Sequence, residues 1–339
     1  MPEAIFVVGG EQRGVPHWTR EWKLYKRAAV TKIAAGRAER MLDYESPPEH
    51  CADDTPSIVF KAASIRGDRA YLCTQTEVLI CDFPSFAIRN VVSLPCFNDL
   101  HHVAVAPDGA LLDLFSVTGD PVWERFSKAT DYRKIATTKP HHAHPNFVFF
   151  LDGEPWVTRF VQRDAVPLNG NAKGRSPFKL GMEGVHDGHV ADGFVYFTAV
   201  NGFVVAFELA SGAMRSVDLN QADGPYKDRP LGWCRGILPE GKDVWVGFSR
   251  IRYTQLRQNI DWVRHGFRNA DRLPPAPTRI ARYDFANNEC LEEIDLEPDT
   301  RIDSTSPSKR RRPPRLVLPE LDSACCPTLS SRAFAHSRR

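Results

Sequence analysis

The sequence predicts an all-β fold: a β-propeller of six four-stranded blades, with a capping insertion and a disordered C-terminal tail. Three observations predict it. A large apolar or aromatic pair follows a Gly/acidic turn five times, as Tyr71-Leu72, Leu111-Leu112, Trp156-Val157, Tyr196-Phe197 and Trp245-Val246, at intervals of 40 to 49 residues. A period of that length marks a repeat architecture, and about 40–50 residues suit one four-stranded blade. Short β-prone runs follow the pairs, such as Glu77 to Asp82 and Phe203 to Glu208, which read as third strands. Regular amphipathic helices do not separate the strands, which argues against an α/β sheet.

Taken in order, Ile5 to Val8 reads as the second strand of a blade that lacks its own first strand. Residues 17–41 either continue that blade or, over Trp22 to Met41, which is rich in Ala, Lys and Arg, form a helix. The repeated units run from Tyr71 to beyond Trp245. Asn201-Gly202 is a hairpin turn inside one of them, and Met214 to Leu219 is its fourth strand. Residues 250–277 interrupt a blade; Leu256, Ile260 and Val263 have helical spacing, so this insertion is expected to cap one face. Thr278 to Leu296 reads as the outer strands of the last blade, and the sixth blade is expected to be shared by the two chain ends. The propeller domain is placed at 1–300. Residues 301–339 are expected to form a disordered basic and Ser-rich tail, in which only Arg315 to Leu321 looks strand-like.

Composition excludes several function classes. A net charge of +2 provides no bulk field to attract nucleic acid or a membrane. No apolar run approaches the ~20 residues of a membrane span. The N-terminus reads as too short and too acidic for a signal peptide, so a cytoplasmic protein is expected. The eight cysteines form no Cys-x-x-Cys pair, which argues against a zinc ribbon or a thioredoxin-like motif. Cys73 and Cys81 lie in apolar strands and are expected to pack as small hydrophobes. There is no Gly-x-Ser-x-Gly elbow and no Walker-type phosphate loop.

Chemistry is concentrated where each repeat enters its first strand. Seven of the eleven histidines fall between 101 and 189. Asn98-Asp99-Leu100-His101-His102, His142-Ala143-His144, His186-Asp187-Gly188-His189 and Trp233-Cys234-Arg235-Gly236 occupy matching repeat positions. In a propeller such positions converge on one mouth of the central channel. Asp187, His102 and His189 are the candidate catalytic residues, because imidazole and carboxylate side by side can move protons. Asn98, Asp99, His144 and His186 are the candidate ligands of a divalent metal ion. Arg159, Arg235 and Arg250 are candidates to bind a carboxylate or phosphate of a small-molecule substrate. Each reading has a structural counterpart: a histidine there can simply bond a neighbouring blade, and an arginine can form an inter-blade salt bridge.

Asn98-Asp99 followed by Pro107-Asp108-Gly109 resembles the repeated pattern of six-bladed propellers in the gluconolactonase (senescence marker protein) and paraoxonase group. His186-Asp187-Gly188 is similar to the Asp-Gly element of that group. The resemblance implies a divalent ion in the channel, with Asn98 as a ligand and Asp187 as ligand or base, assisting lactone or ester hydrolysis. The histidines depart from that pattern and favour an ion softer than calcium. The expected function is therefore a metal-assisted hydrolase or lyase acting on a small polar substrate. The alternative is a non-catalytic propeller that binds a ligand or a protein partner.

Overall fold

A computed structural model describes residues 4–13, 24–48, 50, 57–94, 97, 100–107, 109, 111–115, 122–125, 132–136, 145–160, 162–168, 174–182, 184–227, 229–249, 276–296 and 328–330. Its strands are β1 (Ile5–Gln12), β2 (Tyr25–Ala34), β3 (Arg37–Tyr44), β4 (Ala62–Arg66), β5 (Arg69–Cys73), β6 (Val78–Asp82), β7 (Ile88–Val92), β8 (Leu100–Val105) and β9 (Leu111–Phe115). Then follow β10 (Val122–Arg125), β11 (Tyr132–Ala136), β12 (Pro145–Leu151), β13 (Glu154–Arg159), β14 (Asp164–Pro167), β15 (Phe178–Lys179) and β16 (Val185–Ala191). The remainder are β17 (Phe194–Ala199), β18 (Phe203–Glu208), β19 (Met214–Asp218), β20 (Trp233–Glu240), β21 (Asp243–Ser249), β22 (Arg279–Asp284), β23 (Glu289–Asp295) and β24 (Thr328–Ser330).

These strands make an all-β propeller. Among the described residues five antiparallel four-stranded sheets form: β24-β1-β2-β3, β4 to β7, β12 to β15, β16 to β19 and β20 to β23. Each runs as a meander of neighbouring strands, apart from β24, which joins from the far end of the chain. The count corrects the six blades expected. Between the second and third blades in sequence, β8-β9 and β10-β11 are separate two-stranded sheets. β8 nevertheless holds a place in the ring: the first strands touch in the cyclic order β24, β4, β8, β12, β16, β20 and back to β24.

Residue pattern explains why sheets stack around an axis. Along β18, Val204 and Ala206 pack towards the β20–β23 blade, while Val205 and Phe207 pack towards the β12–β15 blade. Two-residue alternation puts successive side chains on opposite faces, and here both faces are apolar. One cluster of buried residues accordingly fills each seam. Phe6, Val8, Leu72 and Leu79 join the first two blades, and Phe149, Trp156, Phe197 and Phe207 join the third and fourth. Ile5, Val7, Leu238 and Trp245 close the circle between the last blade and the first. The predicted turns hold too: Asp192 and Gly193 both have positive φ (50° and 81°), the type I′ hairpin geometry.

All five anchor pairs lie on the second strands β5, β9, β13, β17 and β21, as the period requires. The helical option for Trp22 to Met41 is wrong: the described part forms the hairpin β2–β3, because Ala28, Val30 and Ile33 can all be buried in strand conformation. Thr328–Ser330, inside the segment expected to lie beyond the propeller, pairs with Val8, Val7 and Phe6 of β1. β1 is thus the second strand of its sheet, and the missing first strand comes from the C-terminal segment. The capping insertion and the strand-like Arg315 to Leu321 lie outside the described residues, apart from 276 and 277. Cys73 and Cys81 are fully buried among apolar neighbours. Among the described residues no helix is long and apolar enough to cross a membrane.

Candidate functional site

The local device that builds the site is a β-bulge. In β16 the pairing jumps from Val185↔Ala199 to Gly188↔Phe197, so His186 and Asp187 together oppose the single residue Thr198. A bulge breaks strict alternation and re-aims side chains. It lets two consecutive residues, which a regular strand would point to opposite faces, meet each other. The His186 Nδ1 and Asp187 Oδ2 atoms are 3.1 Å apart. Thr198 fills the gap: its hydroxyl donates to Asp187 Oδ2 at 3.0 Å and accepts from the Asp187 backbone N–H at 3.2 Å.

The same irregularity recurs on the neighbouring first strands. In β12, Asn146 and Phe147 oppose Thr158; in β20, Gly236 is the extra residue; in β8, His101 is. The β4–β5 pairing runs without a shift. The bulges therefore belong to the side of the ring that carries the histidines. They also tie the blades together. Thr158 accepts from the Phe147 N–H at 3.1 Å and donates to the His186 carbonyl at 2.7 Å. The Gly236 N–H donates to Asp187 Oδ2 at 2.5 Å, with Gly236 in the left-handed region (φ 68°) that a bulge glycine adopts.

Arg235 completes a chain of three residues. Its Nη1 lies 2.6 Å from His186 Nε2. A guanidinium only donates, so Nε2 is the accepting nitrogen and Nδ1 carries the proton that goes to Asp187. His186 is thereby a neutral imidazole in one tautomer, held between a carboxylate and a cation. Burial, reinforced by Arg235, pulls its pKa down to about 4. Burial alone would raise Asp187, but His186, the Gly236 N–H and the Thr198 hydroxyl outweigh it, so the carboxyl lies below its ordinary range. His186 and Asp187 are both buried, whereas Arg235 is partly exposed and lies near the Trp233 ring, 5.9 Å from its centroid.

His102 belongs to the same neighbourhood. It is buried, lies against Phe147 with ring centroids 3.9 Å apart and the rings tilted by 41°, and is within electrostatic reach of Asp187 and His186. Burial drives its pKa down to about 3. Its Nδ1 accepts from the Val148 N–H at 3.5 Å, which leaves the proton on Nε2.

Of the sequence candidates, His102, His186, Asp187 and Arg235 therefore share one cluster. His189 follows the bulge on β16 and is half-buried; burial lowers its pKa, and no described interaction joins it to Asp187. Arg159 is committed within its own blade. It grips Asp164 across the β13–β14 hairpin with two bonds of 2.8 and 2.6 Å, so one edge of its guanidinium is occupied. Asn98, Asp99, His144 and Arg250 lie outside the described residues. Sequence reasoning missed Asn146, Thr158 and Thr198. For the two threonines a signal was present, since each directly follows an anchor pair, Trp156-Val157 and Tyr196-Phe197.

Of the four candidate metal ligands, only His186 lies among the described residues. Among them no group of three or more His, Cys, Asp or Glu side chains could hold a metal. Both nitrogens of His186 are engaged, one of them by a cation that would repel a second positive charge. The arrangement suits an anion instead, with a guanidinium at the rim and a fixed neutral imidazole behind it.

No protein-family model matches the chain, and no curated protein does. Solved structures do. One is a protein of unknown function from Bacteroides caccae, with a TM-score of 0.52 and 11% identity over 87% of this chain and 94% of that one. Another is a chain of a nidogen/laminin complex, with a TM-score of 0.50 and 9% identity over 86% of this chain and 93% of that one. At such identities the likeness shows the propeller fold alone.

Proposed function

We propose that the chain is a hydrolase or lyase acting on a small anionic molecule at the bulge-lined end of the first strands. Arg235 binds the anion, and the His186–Asp187 pair moves the proton. The observation that supports this reading is the Arg235–His186–Asp187 chain, with its single enforced tautomer. An incoming carboxylate or phosphate competes for the Arg235 donors. Once those donors turn to the ligand, the His186 Nε2 lone pair is released and can take a proton from water or from an acidic carbon. Asp187 holds the Nδ1–H throughout and stabilises the imidazolium that forms. The reaction class agrees with the resemblance to lactone hydrolases, but the reading takes no step through a metal.

The test is proton release from a panel of small anionic esters and lactones, followed with wild type, His186→Gln and Arg235→Lys. Turnover should fall by about 100-fold or more in His186→Gln. Arg235→Lys should mainly raise KM, because a lysine cannot reproduce the planar fork. Turnover that is unchanged in His186→Gln refutes the catalytic role. A second reading, a propeller that binds without turnover, is favoured by one observation: both His186 nitrogens are satisfied at rest. Saturable anion binding with no turnover on any substrate would establish it.

A further inference from the structure

The threonines that follow the anchor pairs of β13 and β17 share one geometry. Thr158 and Thr198 are both 0% exposed, and each stands opposite a bulge of the adjoining first strand. Each hydroxyl accepts from a backbone N–H of that bulge: Thr158 from Phe147 at 3.1 Å, Thr198 from Asp187 at 3.2 Å. A hydroxyl has one proton to give, and both direct it to the same dipeptide. Thr198 donates to Asp187 Oδ2 at 3.0 Å, and Thr158, from the preceding blade, donates to the His186 carbonyl at 2.7 Å. Asn146, in the same blade as Thr158, donates to the Val185 carbonyl at 3.1 Å. Two consecutive carbonyls of β16 are thus held from across the seam. A bulge does not itself call for a hydroxyl. The β20 bulge stands opposite Gly247, which has none, and Cys73 holds the corresponding place on β5, where the pairing is unshifted. Among these four positions, threonine stands at the two whose hydroxyls reach His186 and Asp187.

Three donors converge on one atom, since His186 Nδ1, the Thr198 hydroxyl and the Gly236 N–H all meet Asp187 Oδ2. Together they fix the rotation of the carboxylate, and so the direction from which it accepts the Nδ1–H. At a bulge the ladder is locally broken, so the main chain at His186 depends on side chains for its hold. We propose that Thr198 and Thr158 are positioning residues for the proton-moving pair, Thr198 aligning the Asp187 carboxylate and Thr158 fixing the His186 main chain from the neighbouring blade. This rests on the reading of His186 and Asp187 as that pair. It adds that the pair is assembled across the seam between the third and fourth blades. Each hydroxyl has its proton committed, so each acts through the residue it bonds and not on the substrate. A misplacement of about 1 Å in such a pair costs up to about 100-fold in rate.

The experiment compares Thr198→Val and Thr158→Val, which remove the hydroxyl at nearly constant shape, with Thr198→Ser and Thr158→Ser, which keep it. The readout that needs no substrate is 1H–15N NMR of the His186 ring. Wild type should show one species, protonated at Nδ1, whose proton exchanges slowly with water. In each valine variant that proton should exchange about tenfold faster or more, and serine should restore the rate to within about twofold. Backbone amides of β18 are the control, because a loss of stability alone would speed them equally. On the ester or lactone that wild type turns over fastest, valine should lower kcat about tenfold and leave KM within about twofold. Should a valine protein fail to fold, the alanine variant replaces it, and the wild-type ring remains a test: two tautomers at rest would mean that no hydroxyl fixes the pair. Ring exchange and kcat unchanged by valine overturn the positioning role and leave the catalytic reading standing. Faster ring exchange in valine, with turnover unchanged in His186→Gln, removes the reaction but upholds the hold of the two hydroxyls on the pair.

Discussion

Two neutral imidazoles buried beside one carboxylate make the fold sensitive to mild acid. His102 and His186 have folded pKa values of about 3 and about 4, against the ordinary 6.5. Between pH 6.5 and those values the unfolded chain takes up protons that the folded chain refuses. Stability therefore falls as pH falls through that window, by about 1.4 kcal/mol per pH unit for each histidine. His189 shifts in the same direction. Asp187 is depressed below 3.8, so its own contribution is lost only at still lower pH. The urea midpoint should drop steadily from pH 6.5 to pH 4.5, and less steeply in His102→Phe. A midpoint that stays flat across that range would mean the imidazoles are charged in the native state. At this scale the sequence was informative for charged and titratable residues. His186, Asp187 and Arg235 share a repeat position, and repeat position is geometry in a propeller. Thr198, Thr158 and Asn146 were not legible as partners. Their roles depend on an extra residue in the ladder, which no hydrophobic pattern records.

Among the elements, β16 carries the tightest constraint. The motif His186-Asp187-Gly188 was read for its acid and base, but its glycine answers to the neighbouring blade. A Cβ on Gly188 would stand 2.8 Å from Phe149 Cδ1 and 3.3 Å from Phe197 Cε1. Phe149 cannot retreat easily, because it stacks on Trp156 and packs edge-on against Phe197, with centroids 6.3 and 5.7 Å away. Gly188→Ala should therefore destabilise by about 1–3 kcal/mol, as overpacking of a full core does. Urea unfolding measures this directly. Adding Phe149→Leu should recover part of the loss by making room. A Gly188→Ala protein of wild-type stability would show that the seam between the third and fourth blades is looser than its ring contacts indicate.

The whole molecule is a ring, and its closure was the least legible feature. Interior blades announce themselves by a period, since each must present the same turn and the same second strand. The position of β8–β9 shows the limit of that signal. Leu111-Leu112 kept the period, yet among the described residues the sheet at that place in the ring has two strands, β8 and β9. Closure is harder still to read, because Thr328–Ser330 is too short to show periodicity and lies far from β1 in sequence. Yet β24 pairs with Phe6, Val7 and Val8, and lies between β4 and β20. Without it, β1 would lose the partner on its inner edge. The apolar seam of Ile5, Val7, Leu238 and Trp245 beside it would open to water. Truncation after residue 327 should thus lower Tm by about 5 °C or more, whereas truncation after residue 330 should move it by no more than about 1 °C. Adding the peptide 325–333 in excess to the shorter chain should restore part of the loss by strand addition. If the two truncations melt together, β24 does not close the ring, and the first blade stands on β1 to β3 alone.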